Sequence, residues 1–196
     1  MNLPEPPSTH PPEFEDSTAG AARGEAVSLH ARLPMDWTET ITPESALADV
    51  MADNLTLLRA LLMLDEPAAA SDPARTETSS HIERRLDLLL LMASTALRGM
   101  QQLPRERSCV LSARRVYWAS EESIGVGRRL WLRVWLRHRI ALPLMLPGQV
   151  VEEEVDGDQL WHRLDIEALD PALQHELERL VFRHHRREVA RQRGVL

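Results

Sequence analysis

Residues 130–137, Leu-Trp-Leu-Arg-Val-Trp-Leu-Arg, decide the fold of this chain. Aliphatic residues alternate with tryptophan and arginine at every second position. This two-residue period is that of a β-strand with one face in a hydrophobic core. The stretch therefore predicts a half-buried strand whose other face is aromatic and basic.

Further strand-like segments surround this stretch. Two dipeptides typical of turns, Pro147-Gly148 and Asp156-Gly157, separate several of them. With residues 130–137 they make about five strands in under sixty residues, a number suited to a small antiparallel barrel. Asp170 and Pro171 then begin a last amphipathic helix. The other predicted strands are residues 109–118, 142–146, 150–155 and 160–166.

Two heptad-patterned stretches precede the predicted barrel, and we expect helices at about residues 42–65 and 80–102. Steps of three and four residues keep one apolar seam on one side of each helix. An antiparallel helix pair packed on its own domain has the same period, but additional apolar residues, including Leu58 and Leu62, widen the face and favour packing against further copies of the chain. The predicted oligomerisation residues are Leu47, Val50, Asn54, Leu57, Leu61, Leu64, Ile82, Leu86, Leu89, Ala93, Ala96 and Met100.

Asn54 is the polar residue of the first seam. A single amide among aliphatic seam residues commonly specifies helix register and oligomeric state. The alternative is that Asn54 faces a wetter part of the bundle. Residues 41–103 are thus predicted to be a helical oligomerisation region.

Residues 1–40 differ from the rest of the chain in composition. They combine clustered prolines and acidic residues with few large apolar side chains. Such a segment buries too little apolar surface to offset its ordering entropy, so it is predicted to be a disordered tail.

Composition narrows the class of protein. The 196 residues suffice for one domain with an assembly element, and the single cysteine excludes an intramolecular disulfide framework. The absence of a long apolar run predicts a soluble, cytoplasmic protein without membrane insertion. The net charge of -7 argues against nucleic acid as a partner. Six C-terminal arginines could attract phosphate, although they also complement a helix dipole: Arg179, Arg183, Arg186, Arg187, Arg191 and Arg193.

Catalytic patterns are not evident. His175-Glu176 begins like a zinc-protease helix, but Arg179 occupies the position of the second histidine ligand. Cys109 lies in an apolar strand without neighbours that would activate a thiolate. Residues 152–154, three glutamates in a row, are predicted to form a solvated edge of a hairpin. The sequence therefore predicts no enzyme, no metal and no cofactor.

The segment from about residue 103 to 193 resembles a PilZ domain. The resemblance rests on residues 110–116 (VLSARRV), 124–132 (IGVGRRLWL) and 142–151 (LPLMLPGQVV), followed by a helix with Leu180-Val181-Phe182 and clustered arginines. It implies a six-stranded β-barrel over residues 104–193 with a C-terminal helix. Members of that family usually bind cyclic di-GMP through an RxxxR segment upstream and a [DN]xSxxG segment on the barrel.

This chain departs from both ligand motifs. Ser112 is kept, but Val110 stands in place of the acid or amide and Arg115 in place of the glycine. Pairs of arginines with RxxxR spacing, at 129/133 and 133/137, follow the barrel motif instead of leading into it. The resemblance therefore implies an atypical subtype that forms tetramers through heptad helices and does not bind cyclic di-GMP.

Together these features predict a non-enzymatic, self-assembling regulator or adaptor. It would act by contact with a protein partner, in a bacterial setting of cyclic di-GMP signalling or of type IV pilus and motility control. The alternative is a cyclic di-GMP receptor with a rearranged site, in which Trp131 or Trp135 would stack on the ligand. The same arginine and tryptophan face could also be a docking surface. The charged residues of the rearranged site would be Arg114, Arg115, Arg133 and Arg137.

Overall fold

The computed structural model describes residues 27–39, 44–65, 93, 102–167 and 169–194. Within them lie two helices, α1 (Glu44–Leu64) and α2 (Pro171–Gln192). Asp170 caps α2, because its carboxylate accepts a hydrogen bond from the Ala172 amide at 2.8 Å. The six strands are β1 (Leu29–Thr38), β2 (Glu106–Leu111), β3 (Arg115–Ser120), β4 (Arg129–Val134), β5 (Leu144–Asp156) and β6 (Gln159–Ile166).

The strands form a closed antiparallel barrel in the order β1-β2-β3-β6-β5-β4. Alternate residues of the strands point inward, and Trp118, Leu132, Leu146 and Leu164 are fully buried there. The predicted small barrel followed by a C-terminal helix is confirmed.

Strand β1 corrects the prediction of a disordered tail over residues 1–40. Leu29 pairs with Leu111 of β2, while Met35 pairs with Val134 of β4, so β1 closes the barrel. Met35 is fully buried in the core, which supplies the apolar burial that stabilises the strand. The helical region therefore lies between two barrel strands, and the barrel is not confined to residues 104–193. Residues 1–26 lie outside the described part of the chain.

Pro147-Gly148 does not form the predicted turn. Both residues lie inside the single strand β5, where Gly148 pairs with Leu130 and Ile166. A Cβ atom at position 148 would come within 2.5 Å of the Asp165 carbonyl oxygen, so glycine permits the close approach of β6. The predicted turn at Asp156-Gly157 is confirmed, with Gly157 at φ 61° between β5 and β6.

Helix α1 packs inside its own chain against α2 and β5. Leu57, Leu58, Leu61 and Leu62 are all buried in one core with the apolar side chains of α2 and the barrel. Leu57 and Leu61 thus stabilise the single chain in this structure, and their role in a seam between copies stays a prediction. Part of the wide apolar face of α1 is covered by α2 and β5.

Asn54 also makes its contacts within the chain. Its amide accepts a hydrogen bond from the Met145 backbone N–H at 2.9 Å and donates one to the Met145 carbonyl at 2.7 Å. The residue is 1% exposed. Asn54 therefore holds α1 on β5, and its role in helix register between copies stays a prediction.

The remaining predicted seam residues have a mixed outcome. Leu47, Val50 and Leu64 are half-buried on α1, and Ala93 is helical and exposed. Their oligomerisation role stays a prediction. The rest of the second seam lies outside the described residues: Ile82, Leu86, Leu89, Ala96 and Met100.

Candidate functional site

The turn between β2 and β3 holds the residues that align with the ligand motif of the resembled family. Ser112 is buried there, and its hydroxyl accepts hydrogen bonds from the backbone amides of Arg114 (3.3 Å) and Arg115 (3.0 Å). The hydroxyl also lies 3.2 Å from the Arg115 carbonyl, to which it can donate. Its capacity for hydrogen bonds is thus used inside the turn itself.

The two substituted motif positions flank this turn. Val110 is buried in β2 and offers no polar group. Arg115 begins β3, and its Nε lies 3.3 Å from a carboxylate oxygen of Asp165 on β6. The acid or amide of the motif is therefore replaced by an apolar side chain. Its glycine is replaced by an arginine that pairs with a residue of β6.

A groove lies between this turn and α2, and we call it the α2 groove. Its volume is about 430 Å³. Apolar side chains predominate, while Arg114 and Arg179 bring positive charge. The lining residues are Val27, Ala113, Arg114, His175, Glu178, Arg179, Val181 and Phe182.

The four arginines of the alternative ligand site do not come together. Arg115 pairs with Asp165 across β3 and β6, whereas Arg133 forms a two-point pair with Asp36 across β4 and β1, at 2.5 and 2.7 Å. These two strand pairs lie on opposite sides of the barrel ring. The structure thus contradicts a single site built from Arg114, Arg115, Arg133 and Arg137.

The aromatic part of that alternative site is also corrected. Strand β4 ends at Val134, and Trp131 and Trp135 are only 8% and 7% exposed. The Trp135 indole N–H donates to the Ala141 carbonyl at 2.9 Å. Neither ring is available as an open stacking surface, because both are covered by the protein itself.

Arg137 belongs instead to a cluster around Asp65, just after the last residue of α1. The Asp65 side chain is 3% exposed and pairs with Arg137 and with Arg187 of α2, the latter at 3.1 Å. His184 lies 3.6 Å away. We call these four residues the Asp65 cluster.

Arginines of α2 also cap the end of α1. Arg187 donates to the Asp65 carbonyl at 2.6 Å, and Arg183 donates to the Leu62 carbonyl at 2.5 Å. The last carbonyls of a helix lack partners within the helix, so cationic donors at this end satisfy them and complement the negative helix end. The C-terminal arginines that could have marked a phosphate site thus include two that join the helices.

Two side chains of the Asp65 cluster have lowered pKa values. Burial, followed by the charges of Arg187, Arg137, Arg191 and Arg183, lowers the pKa of His184. Burial and then Arg187 lower the pKa of Arg137. Sequence reasoning missed Asp65, although an acid at a helix C-terminus opposes the helix dipole and hence signals cations nearby.

A second polar network lies in the barrel interior. His162 is fully buried, stacks near Trp118 with ring centroids 5.1 Å apart, and has Nδ1 3.0 Å from Glu153. Glu153 also accepts hydrogen bonds from the Ile124 and Gly125 amides at 2.8 and 2.7 Å. Glu153 therefore anchors the β3–β4 loop, whereas a solvated edge was predicted; Glu152 and Glu154 are exposed.

The pKa values of Glu153 and His162 are both lowered, but for different reasons. Burial raises the pKa of Glu153, but hydrogen bonds from Gly125, Ser123 and Ile124 outweigh it, and the net pKa is lowered. Burial lowers the pKa of His162 despite the opposing carboxylate. The histidine is therefore held neutral near pH 7.

The residues that sequence analysis considered for metal binding and nucleophilic chemistry can be placed in the described ranges. These ranges contain no group of three or more His, Cys, Asp or Glu side chains placed to hold a metal. Burial raises the pKa of the Cys109 thiol to about 12, so this thiol is a poor nucleophile. Of the helices in that part of the chain, none is long and apolar enough to cross a membrane.

A family model, described as "Atypical PilZ domain, cyclic di-GMP receptor", matches residues 58–194. This match includes the end of α1, strands β2 to β6 and α2. No curated protein matches the sequence significantly.

Three solved structures are similar to this one. A pathogenic protein of Xanthomonas campestris, described as a tetrameric PilZ domain self-assembled via an unusual helical bundle, has 27% identity and a TM-score of 0.70. That match covers 84% of this chain and 91% of the other. The inhibitor of motility from Bacillus subtilis matches at 16% identity and a TM-score of 0.35, covering 43% and 42% of the two chains. The PilZ domain of Escherichia coli YcgR with cyclic di-GMP matches at 14% and 0.36, covering 46% and 79%.

Proposed function

This chain belongs to the atypical PilZ domain family, and on that premise we propose that it is a non-enzymatic regulator that self-assembles and acts through protein contacts. A homotetramer is the assembly we propose. The observation that carries the proposal is the similarity, over most of both chains, to a PilZ protein described as tetrameric through a helical bundle.

The exposed part of the helical region supports assembly. Core packing uses one side of α1, but Met63 remains 58% exposed and Leu47, Val50 and Leu64 are only half-buried. Exposed apolar side chains on a helix are a common feature of surfaces that bind another copy. We propose that these residues meet the second heptad stretch of neighbouring chains, including Leu86 and Leu89.

The geometry of the Ser112 turn supports a protein that does not itself bind cyclic di-GMP. A dianionic dinucleotide needs free guanidinium groups and a close backbone approach. Here Arg115 is engaged by Asp165, the Ser112 hydroxyl is used within its turn, and Val110 offers no polar atom. We propose that signalling reaches the protein through a partner.

The biological setting is proposed from the family resemblance. We propose a cytoplasmic protein in bacterial cyclic di-GMP signalling or in type IV pilus and motility control, with a protein component of that pathway as partner. Neither nucleic acid nor membrane insertion forms part of the proposal.

Assembly is tested by light scattering of the full chain at micromolar concentration. We expect a mass about four times the protomer mass of 22.3 kDa. Leu86→Arg places a charge on the predicted seam and should reduce this mass, whereas Asp87→Arg, one position off the seam, should not. A wild-type monomer would contradict the proposed assembly.

Ligand binding is tested by calorimetric titration with cyclic di-GMP at near-physiological salt. We expect no heat of binding for the full chain or for Arg115→Ala. The family description as a cyclic di-GMP receptor favours a second candidate, a receptor that uses the surface near the Ser112 turn. Micromolar or tighter binding that is lost in Arg115→Ala would support that second candidate.

A further inference from the structure

The α2 groove combines an apolar floor with charged side chains at its edge, two arginines and Glu178, whose carboxylate accepts a hydrogen bond from Gln174 at 3.1 Å. Phe182 is 51% exposed although it is one of the largest apolar side chains of α2. Among the described residues, the Arg114 guanidinium has neither an ion-pair nor a hydrogen-bond partner. Arg179 is hydrogen-bonded to Glu176 at 2.8 Å, and its side chain remains 47% exposed. An occupant should therefore offer an apolar anchor flanked by acids.

The described part of the chain begins at this groove. Val27, the residue at which the described part begins, is one of the lining side chains. Whatever position residues 1–26 occupy, they continue from the groove wall. Their local concentration at the groove is consequently high without any second molecule.

Residues 13–16 of that segment have the required chemistry. They read Glu-Phe-Glu-Asp, with one aromatic side chain between acidic residues. Phe14 is the single aromatic residue of the first 26, and the only other phenylalanine of the chain is Phe182. Residues 1–26 contain five acidic residues and a single arginine, so their charge is opposite to that of Arg114 and Arg179.

The linking chain is long enough. Residues 17–26 connect the acidic segment to Val27 and can extend over roughly 30 Å at about 3.3 Å per residue. A groove of about 430 Å³ is on the order of 8 Å across, so Phe14 can return to it. A linker of this length gives an effective concentration on the order of millimolar.

We propose that residues 13–16 bind in the α2 groove of their own chain. Phe14 packs on Phe182 and Val181, and the flanking carboxylates face Arg114 and Arg179. The groove beside the Ser112 turn is then occupied from within the molecule. An acidic partner segment can use this surface only by displacing the chain's own residues.

Disulfide trapping tests this arrangement in the full chain. Ser17→Cys, next to the acidic segment, is combined with His175→Cys at the groove, and oxidation is followed by mass spectrometry. Val155→Cys is the control for position 175, because it is exposed on the hairpin at the far end of the β3–β6 ladder. The natural Cys109 is buried and interferes little.

The expected result is an intrachain disulfide that forms at least about tenfold faster than in the control pair, as a raised effective concentration requires. Phe14→Ser, or combined Glu13→Gln, Glu15→Gln and Asp16→Asn, should bring the rate near that of the control, whereas Glu5→Gln should not. High salt should slow the reaction. Equal rates in the two pairs, a rate unaffected by Phe14→Ser, or disulfides between chains would overturn the proposal.

Discussion

The Ser112 turn and the Asp65 cluster use arginine in contrasting ways. At the turn, Arg115 and Asp165 are both close to half exposed. In the cluster, Arg137 and Arg187 meet a carboxylate that is 3% exposed. Water screens the first pair and leaves it with little net energy, whereas the carboxylate of the second depends on its partners.

This difference shows which arginines of the chain are structural. The family resemblance drew attention to the turn, but the energetically coupled arginines join α1, the loop after β4, and α2. Removing a charged group should therefore lower the free energy of unfolding much more in the Asp65 cluster than at the Ser112 turn.

Asp65→Asn should give the largest effect. The change removes the anion that Arg137 and Arg187 share at the C-terminal end of α1. We expect the free energy of unfolding to fall by about 3 kcal/mol. Urea denaturation at constant protomer concentration measures it. Asp165→Asn, the matched change at the turn, should cost less than about 1 kcal/mol. Equal losses would show that the two places do not differ.

Asn54→Leu should cost about 2 kcal/mol, because it leaves the Met145 N–H and carbonyl without their partner on α1. Ala52→Leu, at an exposed position of the same helix, should change stability by less than about 0.5 kcal/mol. Urea denaturation provides the stability and light scattering the mass. A changed mass with unchanged stability would restore a role for Asn54 between copies.

Acid should weaken the Asp65 cluster. The folded-state pKa of His184 is lowered, so below the ordinary histidine value of about 6.5 the unfolded chain binds more protons than the folded chain. Stability contributed by neutral His184 is thus present above that pH and lost as the pH falls. His162 acts in the same direction.

The measurement is the urea midpoint at about pH 7.5 and about pH 5.5. His184→Gln should reduce the difference between the two midpoints, with His162 accounting for much of what remains. His175→Gln, at an exposed position on the same helix, is the control for the substitution itself. An undiminished difference in His184→Gln would show that this histidine does not report on the cluster.

Arg115→Ala should have the smallest effect, under about 0.5 kcal/mol, because its pair with Asp165 is solvent-exposed. The hydrogen bonds that Ser112 makes to the backbone of residues 114 and 115 remain available to the variant. Urea denaturation again measures the change. A loss above about 2 kcal/mol would make the turn as important as the cluster.

Local patterns predicted much of the barrel. Strand alternation and turn chemistry placed segments of the barrel, and the Asp170-Pro171 start of α2 was also correct, but residues 109–118 were predicted as one strand and contain the Ser112 turn between β2 and β3. Strand β1 has a detectable alternation of its own, through Leu29, Leu33 and Met35. Its Pro34 and the adjoining proline-rich segment obscured it, because proline is unfavourable in central strands.

Contacts between distant segments could not be predicted in this way. Asp65 and Arg187 are 122 residues apart in the chain, and Asn54 and Met145 are 91 apart. A heptad pattern records that a helix has a buried side, but not whether that side meets another copy or the chain's own barrel. Likewise, the spacing of four arginines did not reveal that two face opposite sides of a closed sheet.

The position of the helical region between β1 and β2 has a mechanical consequence. Residues 39–105 leave β1 and return to β2 at the same end of their shared ladder, where Pro34 faces Glu106. A pull on this inserted segment, which includes α1, therefore loads the strands in the unzipping direction, so that hydrogen-bonded pairs break one after another and not all at once. Because residues 35–38 of β1 pair with β4 beyond this end, a pull on the inserted segment would first separate β1 from β4 and then from β2.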